Sequence, residues 1–265
     1  MRLENKTAIV VGGGQQPGDS IGNGKAVAVL FAREGAKVAV VDKDLDRAQE
    51  TVDMIAGEGG ESFALQADVT SEESLSSMVS AAHDGLGRVD ILHNNVGWSL
   101  AGGDSIMDDI TEENFDRVMN VNLRGMVMTC KHVIPIMREQ KSGAIVSISS
   151  MAAIESYPYV AYKTSKSGVI AMTEQLAYMN YEYNIRANVI LPGLMHTAMA
   201  IDARITPEKN REQVIAERNA KVPLGNMMGT AWDVAYCSLF LASDEAKFIT
   251  GVAIPVDGGA SVRRG

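Results

Sequence analysis

The sequence predicts an α/β fold: one doubly wound domain in which a central, mainly parallel sheet of seven strands carries helices on both faces. Three observations predict it. Apolar runs of strand length alternate with amphipathic helix patterns along the whole chain. The runs are apolar at nearly every position, as in strands buried on both faces. The first run passes directly into a glycine-rich stretch, GGGQQPGDSIGNG at residues 12–24, and a helix pattern follows it.

The elements follow in order. TAIVVGGG is the first strand, and GKAVAVLFAREGA is a helix that Gly35 can stop. KVAVVDKD is the second strand, LDRAQETVDMIAGEGG the second helix and ESFALQADVT the third strand. SEESLSSMVSAAHDGLG is a helix capped by Ser71, with glutamates in its first turn. VDILHNNVG is the fourth strand. TEENFDRVMNVNLRGMVMTCKHVIPIMREQ reads as one long helix, bent near Pro135. GAIVSISS, then the helix AYKTSKSGVIAMTEQLAYMNYEY, then IRANVILPG continue the alternation. Residues 198–220 are polar, charged and weakly patterned around Pro207. A last helix, TAWDVAYCSLFLAS, and a last strand, GVAIPVDGG, complete it. With no linker and no repeat beyond the β-α rhythm, residues 1–265 read as one domain.

Composition narrows the function classes. The formal charge of −9 disfavours nucleic acid and anionic membrane as partners. The four histidines show no metal-ligand spacing. No apolar run is long enough to span a bilayer, and the N-terminus lacks a signal-peptide pattern. Cys130 and Cys237 sit in apolar helix patterns, which predicts buried free thiols. The expected compartment is the cytoplasm.

In a doubly wound sheet, ligands sit beyond the carboxyl ends of the strands. Glycines after strand one let backbone approach a pyrophosphate, and the next helix offers unpaired N–H groups to its charge. Gly12 and Gly14 stand just after the strand, and Gly22 and Gly24 just before the helix. Asp42 ends strand two, where a carboxylate can accept both hydroxyls of an adenosine ribose and repel an added phosphate. This favours NAD over NADP, with Lys43 beside it able to soften the choice. Asp68-Val69 ends strand three and Asn94-Asn95-Val96-Gly97 ends strand four, both facing the same crevice.

Tyr162 and Lys166 are spaced i, i+4 at the start of a helix, on one face. An ammonium near a phenol lowers its pKa and makes tyrosine a usable acid or base. Ser149 and Ser150 end the preceding strand and can hold a carbonyl or alkoxide oxygen. Asn122 lies inside a helix pattern, which is unfavourable without a task for its side chain, such as bonding the i−4 backbone or a water. Asn120 competes with it.

Taken together, these residues resemble the short-chain dehydrogenase/reductase family over essentially the entire chain. That resemblance implies a Rossmann-type fold and hydride transfer between NAD and the carbon of a secondary alcohol or ketone. It places a catalytic tetrad on Asn122, Ser150, Tyr162 and Lys166. Tyr162 would move the proton, Ser150 would hold the oxygen, and Lys166 would lower the tyrosine pKa and bond the nicotinamide ribose. Asn122 would anchor a water leading to Lys166. Pro192, Gly193 and Thr197 resemble the family's segment beside the nicotinamide. The helices at 111–140 and 161–180 would pair across two-fold axes, giving a homotetramer or homodimer. Two features depart from the family. The glycine loop is longer than the usual Gly-x-x-x-Gly-x-Gly, and its Gly14, Ser20-Ile21 and Gly24 resemble an enoyl-reductase-like branch that the rest of the chain does not follow. Ser20 would then add a hydroxyl to the phosphate site. The interval from Ser150 to Tyr162 is one residue short of the common spacing, which Ser149 would satisfy; Ser150 is preferred because loops absorb single deletions.

The substrate pocket is expected at Trp98, Ser99, Glu155, Tyr157, Met195 and His196, under a lid at 198–220. Trp98 and Met195 suit an apolar or ring-shaped alcohol or ketone, or else pack core and lid. Glu155 and His196 can bond further hydroxyls, or sit on a solvated rim. Arg204, Lys209 and Arg211 can meet an acidic substrate, or form an exposed helix face.

Overall fold

The computed structural model describes residues 1–18 and 20–263. Seven strands form one sheet in the order β3-β2-β1-β4-β5-β6-β7, with every neighbouring pair parallel. They are β1 (Thr7–Val11), β2 (Lys37–Asp42), β3 (Ser62–Gln66), β4 (Ile91–Asn94), β5 (Gly143–Ile148), β6 (Ile185–Pro192) and β7 (Ala253–Val256). The order reverses between β1 and β4, and this switch point opens a crevice at the strands' carboxyl ends.

Burial on both faces explains the unbroken apolar runs. In β1, Ala8 and Val10 enter one core cluster, with α1 (Asn23–Arg33). Ile9 and Val11 enter the opposite cluster, with α3 (Glu72–Leu86). In β2, Val38 and Val40 divide from Ala39 and Val41 in the same way. Successive side chains point to opposite faces, so a strand covered on both sides needs no polar position. Between β2 and β3 runs α2 (Leu45–Gly57), capped by the Asp44 side chain. Ser71 caps α3, and Gly35 takes a positive φ of 93° just beyond α1, as the sequence predicts.

The expected long helix at 111–140 is instead α4 (Glu112–Met119) and α5 (Gly125–Gln140), joined by a π-type turn at Asn120–Arg124. The interruption lies at this turn, where the Gly125 N–H donates to the Asn120 carbonyl, while Pro135 lies inside α5. A side chain at Gly125 would also press on the Val69 carbonyl, at 2.9 Å. Next comes α6 (Val160–Asn180), followed by a 3₁₀ turn at Tyr181–Tyr183. The weakly patterned stretch 198–220 holds two short helices, α7 (Ala198–Ile201) and α8 (Arg211–Asn219). α9 (Ala231–Ala242) packs back on α1, with Arg33 over the Trp232 ring. Both cysteines are free thiols, Cys130 buried and Cys237 half-buried. Among the described residues, no helix is long and apolar enough to cross a membrane.

Candidate active site

A cavity of about 890 Å³ follows the switch point from the end of β2 to the start of α6. Its floor at one end is the glycine loop. Gly12 has a φ of 80°, and its carbonyl accepts a bond from Asn95 Nδ2 at 3.1 Å. A Cβ on Gly24 would lie 1.9 Å from that carbonyl, so only glycine fits there. At Gly22, by contrast, a Cβ would meet nothing within 4 Å, so this position opens onto free space. α1 begins with no side-chain cap and no acidic residue in its first turn. Its N–H groups and dipole are therefore left for an anion from outside the chain. This cradle fits a pyrophosphate.

The residues added to the loop pack toward the segment after β6. Ser20 is buried, and its Oγ shares a hydrogen bond with His196 Nδ1 at 3.0 Å. A Cβ on Gly18 would lie 2.7 Å from that of Ala198. Ser20 still borders the cavity, but Ile21 turns to the core and His196 turns to Ser20, so neither lines it. Both were expected on its walls. An apolar Ile beside a sheet face gains more by burial, and a His with a buried hydroxyl partner has its ring already engaged.

Asp42 stands at the edge of the cavity. Its Oδ1 accepts from Asp44 N–H at 3.1 Å, and burial pushes its pKa up, opposed by that bond and by the charge of Arg47. A side chain at Gly14 would clash with Asp42, at 2.7 Å from Oδ2. Lys43, the residue able to soften cofactor choice, is drawn away to Asp68, Nζ to Oδ2 at 2.8 Å. Burial opposes ionisation of Asp68, but bonds from Lys43 and Thr70 hold it down at about 2. Val69, Asn95, Val96 and Gly97 line the wall beside it.

Tyr162 and Lys166 lie one turn apart near the start of α6. Ser150 and Tyr162 border the same cavity, and the Ser150 side chain acts on the Tyr162 phenol; Ser150 Oγ also accepts from Ala152 N–H at 3.1 Å. Lys166 is buried, its Nζ 5.8 Å from the Tyr162 ring centre and donating to the Ile148 carbonyl at 2.9 Å. Gly97 leaves room for that ammonium, since a Cβ there would lie 2.9 Å from Nζ. Ser149, the competing serine, instead donates to the Lys166 carbonyl at 2.7 Å. The electrostatics differ from the sequence expectation. Burial pushes the Tyr162 phenol up to about 12, with Ser150 opposing, and pushes Lys166 down to about 7. Desolvation of both groups outweighs the attraction expected between them.

Asn122 is fully buried behind this group, away from the cavity wall. It clamps Trp98 from both sides: Oδ1 accepts from Trp98 N–H and Nδ2 donates to Trp98 carbonyl, each at 2.7 Å. Nδ2 also reaches Ser165 Oγ at 3.0 Å. The side chain thus serves a neighbouring loop rather than the i−4 backbone. Trp98, Ser99, Glu155, Tyr157, Met195, Pro192, Gly193 and Thr197 all border the cavity. Ser99 Oγ and Tyr157 Oη share a bond at 3.2 Å, and Met195 is largely core.

Sequence reasoning missed Asp104. It is buried and caps α6 from a distance, Oδ1 accepting from Ala161 N–H at 3.1 Å and Oδ2 from Tyr162 N–H at 2.8 Å. No local capping pattern marks it, because its two partners, Ala161 and Tyr162, lie 57 and 58 residues further along the chain. It also missed Arg218, which borders the cavity with Arg204 and Lys221. Among the described residues, no group of three His, Cys, Asp or Glu could hold a metal ion.

Comparison with known proteins follows this geometry. A family model described as enoyl-(acyl carrier protein) reductase matches residues 18–261. A 3-oxoacyl-[acyl-carrier-protein] reductase of Thermotoga maritima is 36% identical, over 98% of this chain and 99% of that protein. A 7α-hydroxysteroid dehydrogenase, solved with NADH and 7-oxo glycochenodeoxycholic acid, superposes with a TM-score of 0.87 at 34% identity, covering 97% of this chain and 95% of that one. A levodione reductase superposes with a TM-score of 0.90 at 31% identity, covering 99% of this chain and 100% of that one.

Proposed function

Because this chain belongs to the short-chain dehydrogenase/reductase family and is an NAD-dependent oxidoreductase, we propose that it oxidises a secondary alcohol to a ketone with Tyr162 as its acid/base. The observation that carries this is the meeting of Ser150, Tyr162 and buried Lys166, one turn further along α6, on the one cavity that starts at Asp42. When bound, NAD supplies the two-electron acceptor for hydride from the carbinol carbon. Gly12, Gly14, Gly22 and Ser20 would hold its pyrophosphate, and Asp42 its adenosine ribose. Asp68, Val69, Asn95, Val96 and Gly97 would border the adenine side, and Pro192, Gly193 and Thr197 the carboxamide.

Within the chain, Tyr162 Oη, as the phenolate, receives the alcohol proton while Ser150 Oγ holds the same oxygen. Lys166 Nζ, cationic in its protonated form, stabilises that phenolate and would bond the nicotinamide ribose. Asn122 fixes Trp98, and through it the wall opposite the reacting carbon. Trp98, Ser99, Glu155, Tyr157 and Met195 bound the substrate, and residues 198–220 close over it as a lid. A homotetramer or homodimer paired through α4–α5 and α6 completes the proposal.

A second reading runs the same site as a ketone reductase. The phenol at about 12 favours it, since a tyrosine that keeps its proton at neutral pH is a ready acid. Assaying NAD and NADP separately against cyclic, aryl, sugar, polyol and hydroxy-acid alcohols, and NADH against the matching ketones, tests both. NAD-linked alcohol oxidation supports the first reading. Turnover confined to ketones selects the second, and turnover with NADP alone removes the role given to Asp42.

A further inference from the structure

Besides Lys166, the cations Arg204, Arg218 and Lys221 border the cavity toward its Tyr162 end. Other cations of this segment are engaged elsewhere. Lys209 pairs with Glu217, and Arg211 approaches Asp202 at 3.8 Å. Arg204 makes one bond, Nη1 to the Ala200 carbonyl at 2.9 Å. Its charge reaches both the Tyr162 phenol and Arg218. Arg218 is half-buried at the end of α8, and its Nε is buried with no hydrogen-bond partner among the described residues.

This arrangement is costly in an unliganded chain. Burial, then the like charge of Arg204, push Arg218 down to about 10; Tyr157 opposes them. None of the described carboxylates acts on Arg218. Glu155 borders the same cavity, but the charges that reach it are Asp257 and Lys163. Among the described residues, no acid stands between these two guanidiniums, although the chain's formal charge is −9. Guanidiniums match planar oxoanions with paired N–H groups.

We propose that Arg204, Arg218 and Lys221 form an oxoanion subsite, and that the alcohol oxidised at Tyr162 carries a carboxylate or phosphate group. The substrate class rests on the alcohol-oxidation reading, whereas the subsite does not. The acidic group anchors the far end of the substrate and leaves the carbinol beside Ser150 and Tyr162. Arg204 sits between the two ends and holds both in register.

Calorimetric titration of the NAD-loaded protein with phenylacetate, phenyl phosphate and phenylacetamide tests the subsite without turnover. Tighter binding of either anion than of the amide, by roughly tenfold to a hundredfold, supports it, and the stronger anion identifies the group. In Arg218→Gln that preference should collapse, in Arg218→Lys it should survive in part, and exposed Lys221→Gln should reduce it by itself. Equal binding of anion and amide by the wild type, or a preference that survives Arg218→Gln, overturns the proposal. Oxidation of mandelate and 3-hydroxy-3-phenylpropanoate, each against its amide, separates the two readings. Amides oxidised as well as acids, with no charge preference in binding, overturn the subsite and leave alcohol oxidation standing. A charge preference in binding with no alcohol oxidised supports the subsite and contradicts alcohol oxidation.

Discussion

Ser20 Oγ and His196 Nδ1 share a hydrogen bond at 3.0 Å, joining the glycine loop to the segment that follows β6. The first residue belongs to the stretch that lengthens the loop. The second stands immediately before Thr197, the N-cap of α7. The added residues therefore tie the glycine loop to the start of the 198–220 segment, which in the proposed site are the pyrophosphate cradle and the substrate lid. Removing one such bond costs about 1 kcal/mol. Ser20→Ala and His196→Ala should each weaken NAD binding by about three- to tenfold, read as KM for NAD, and the double variant should add little to either. Additive losses would show that the two residues act independently.

In the proposed site Asp42 would carry the cofactor choice, because the nearby cations are engaged: Lys43 with Asp68 and Arg47 with Asp44. Asp42→Ala should lower kcat/KM with NAD by roughly tenfold to a hundredfold and raise the NADP-to-NAD ratio. Steady-state kinetics with both cofactors measure it.

Asp104 holds the first turn of α6 by two backbone N–H groups, one of them that of Tyr162. Asp104→Ala leaves both donors buried without a partner. Thermal or denaturant unfolding should show a loss of about 2 kcal/mol, accompanied by lower kcat as Tyr162 loses its fixed position.

Burial of Lys166 comes at the expense of stability. Its folded pKa of about 7 lies below the ordinary 10.5. Between those values the unfolded chain holds a proton that the folded chain has lost, so stability rises with pH across that window. Below about pH 7 the penalty of the buried charge is complete. Lys166→Met should therefore stabilise the fold by roughly 2 kcal/mol below that pH, lose this gain as pH rises toward 10.5, and abolish turnover. Unfolding curves at several pH values check the sign.

Asp68 titrates in the opposite sense. Held near 2 against an ordinary 3.8, it contributes stability that is present above the ordinary value and lost as pH falls through about 2. Its side chain is 33% exposed, so screening limits the contribution to about 1 kcal/mol. Acid unfolding of Asp68→Asn should begin from a lower stability and show a shallower decline over that range.

Much of the fold was legible because both-face burial writes itself into strands such as Thr7–Val11 and Lys37–Asp42. The Tyr162–Lys166 face was legible because i, i+4 spacing is local. What escaped was long-range or subtle. The cap from Asp104 crosses 58 residues to Tyr162. The π-type turn at Asn120–Arg124 looks like ordinary helix in its hydrophobic pattern. α8 did carry a local signal, the capping box from Asn210 to Gln213, but its polar surface hid the helix period. The elevated Tyr162 pKa arises from three-dimensional burial, which spacing does not encode.

The most direct measurement is single-turnover reduction of NAD by an alcohol that the protein converts to its ketone, with wild-type protein and Tyr162→Phe, alongside the affinity of each for NAD. Loss of the tyrosine hydroxyl should slow the step by about a hundredfold to ten-thousandfold while NAD still binds. An unchanged rate in Tyr162→Phe would contradict the acid/base role of Tyr162.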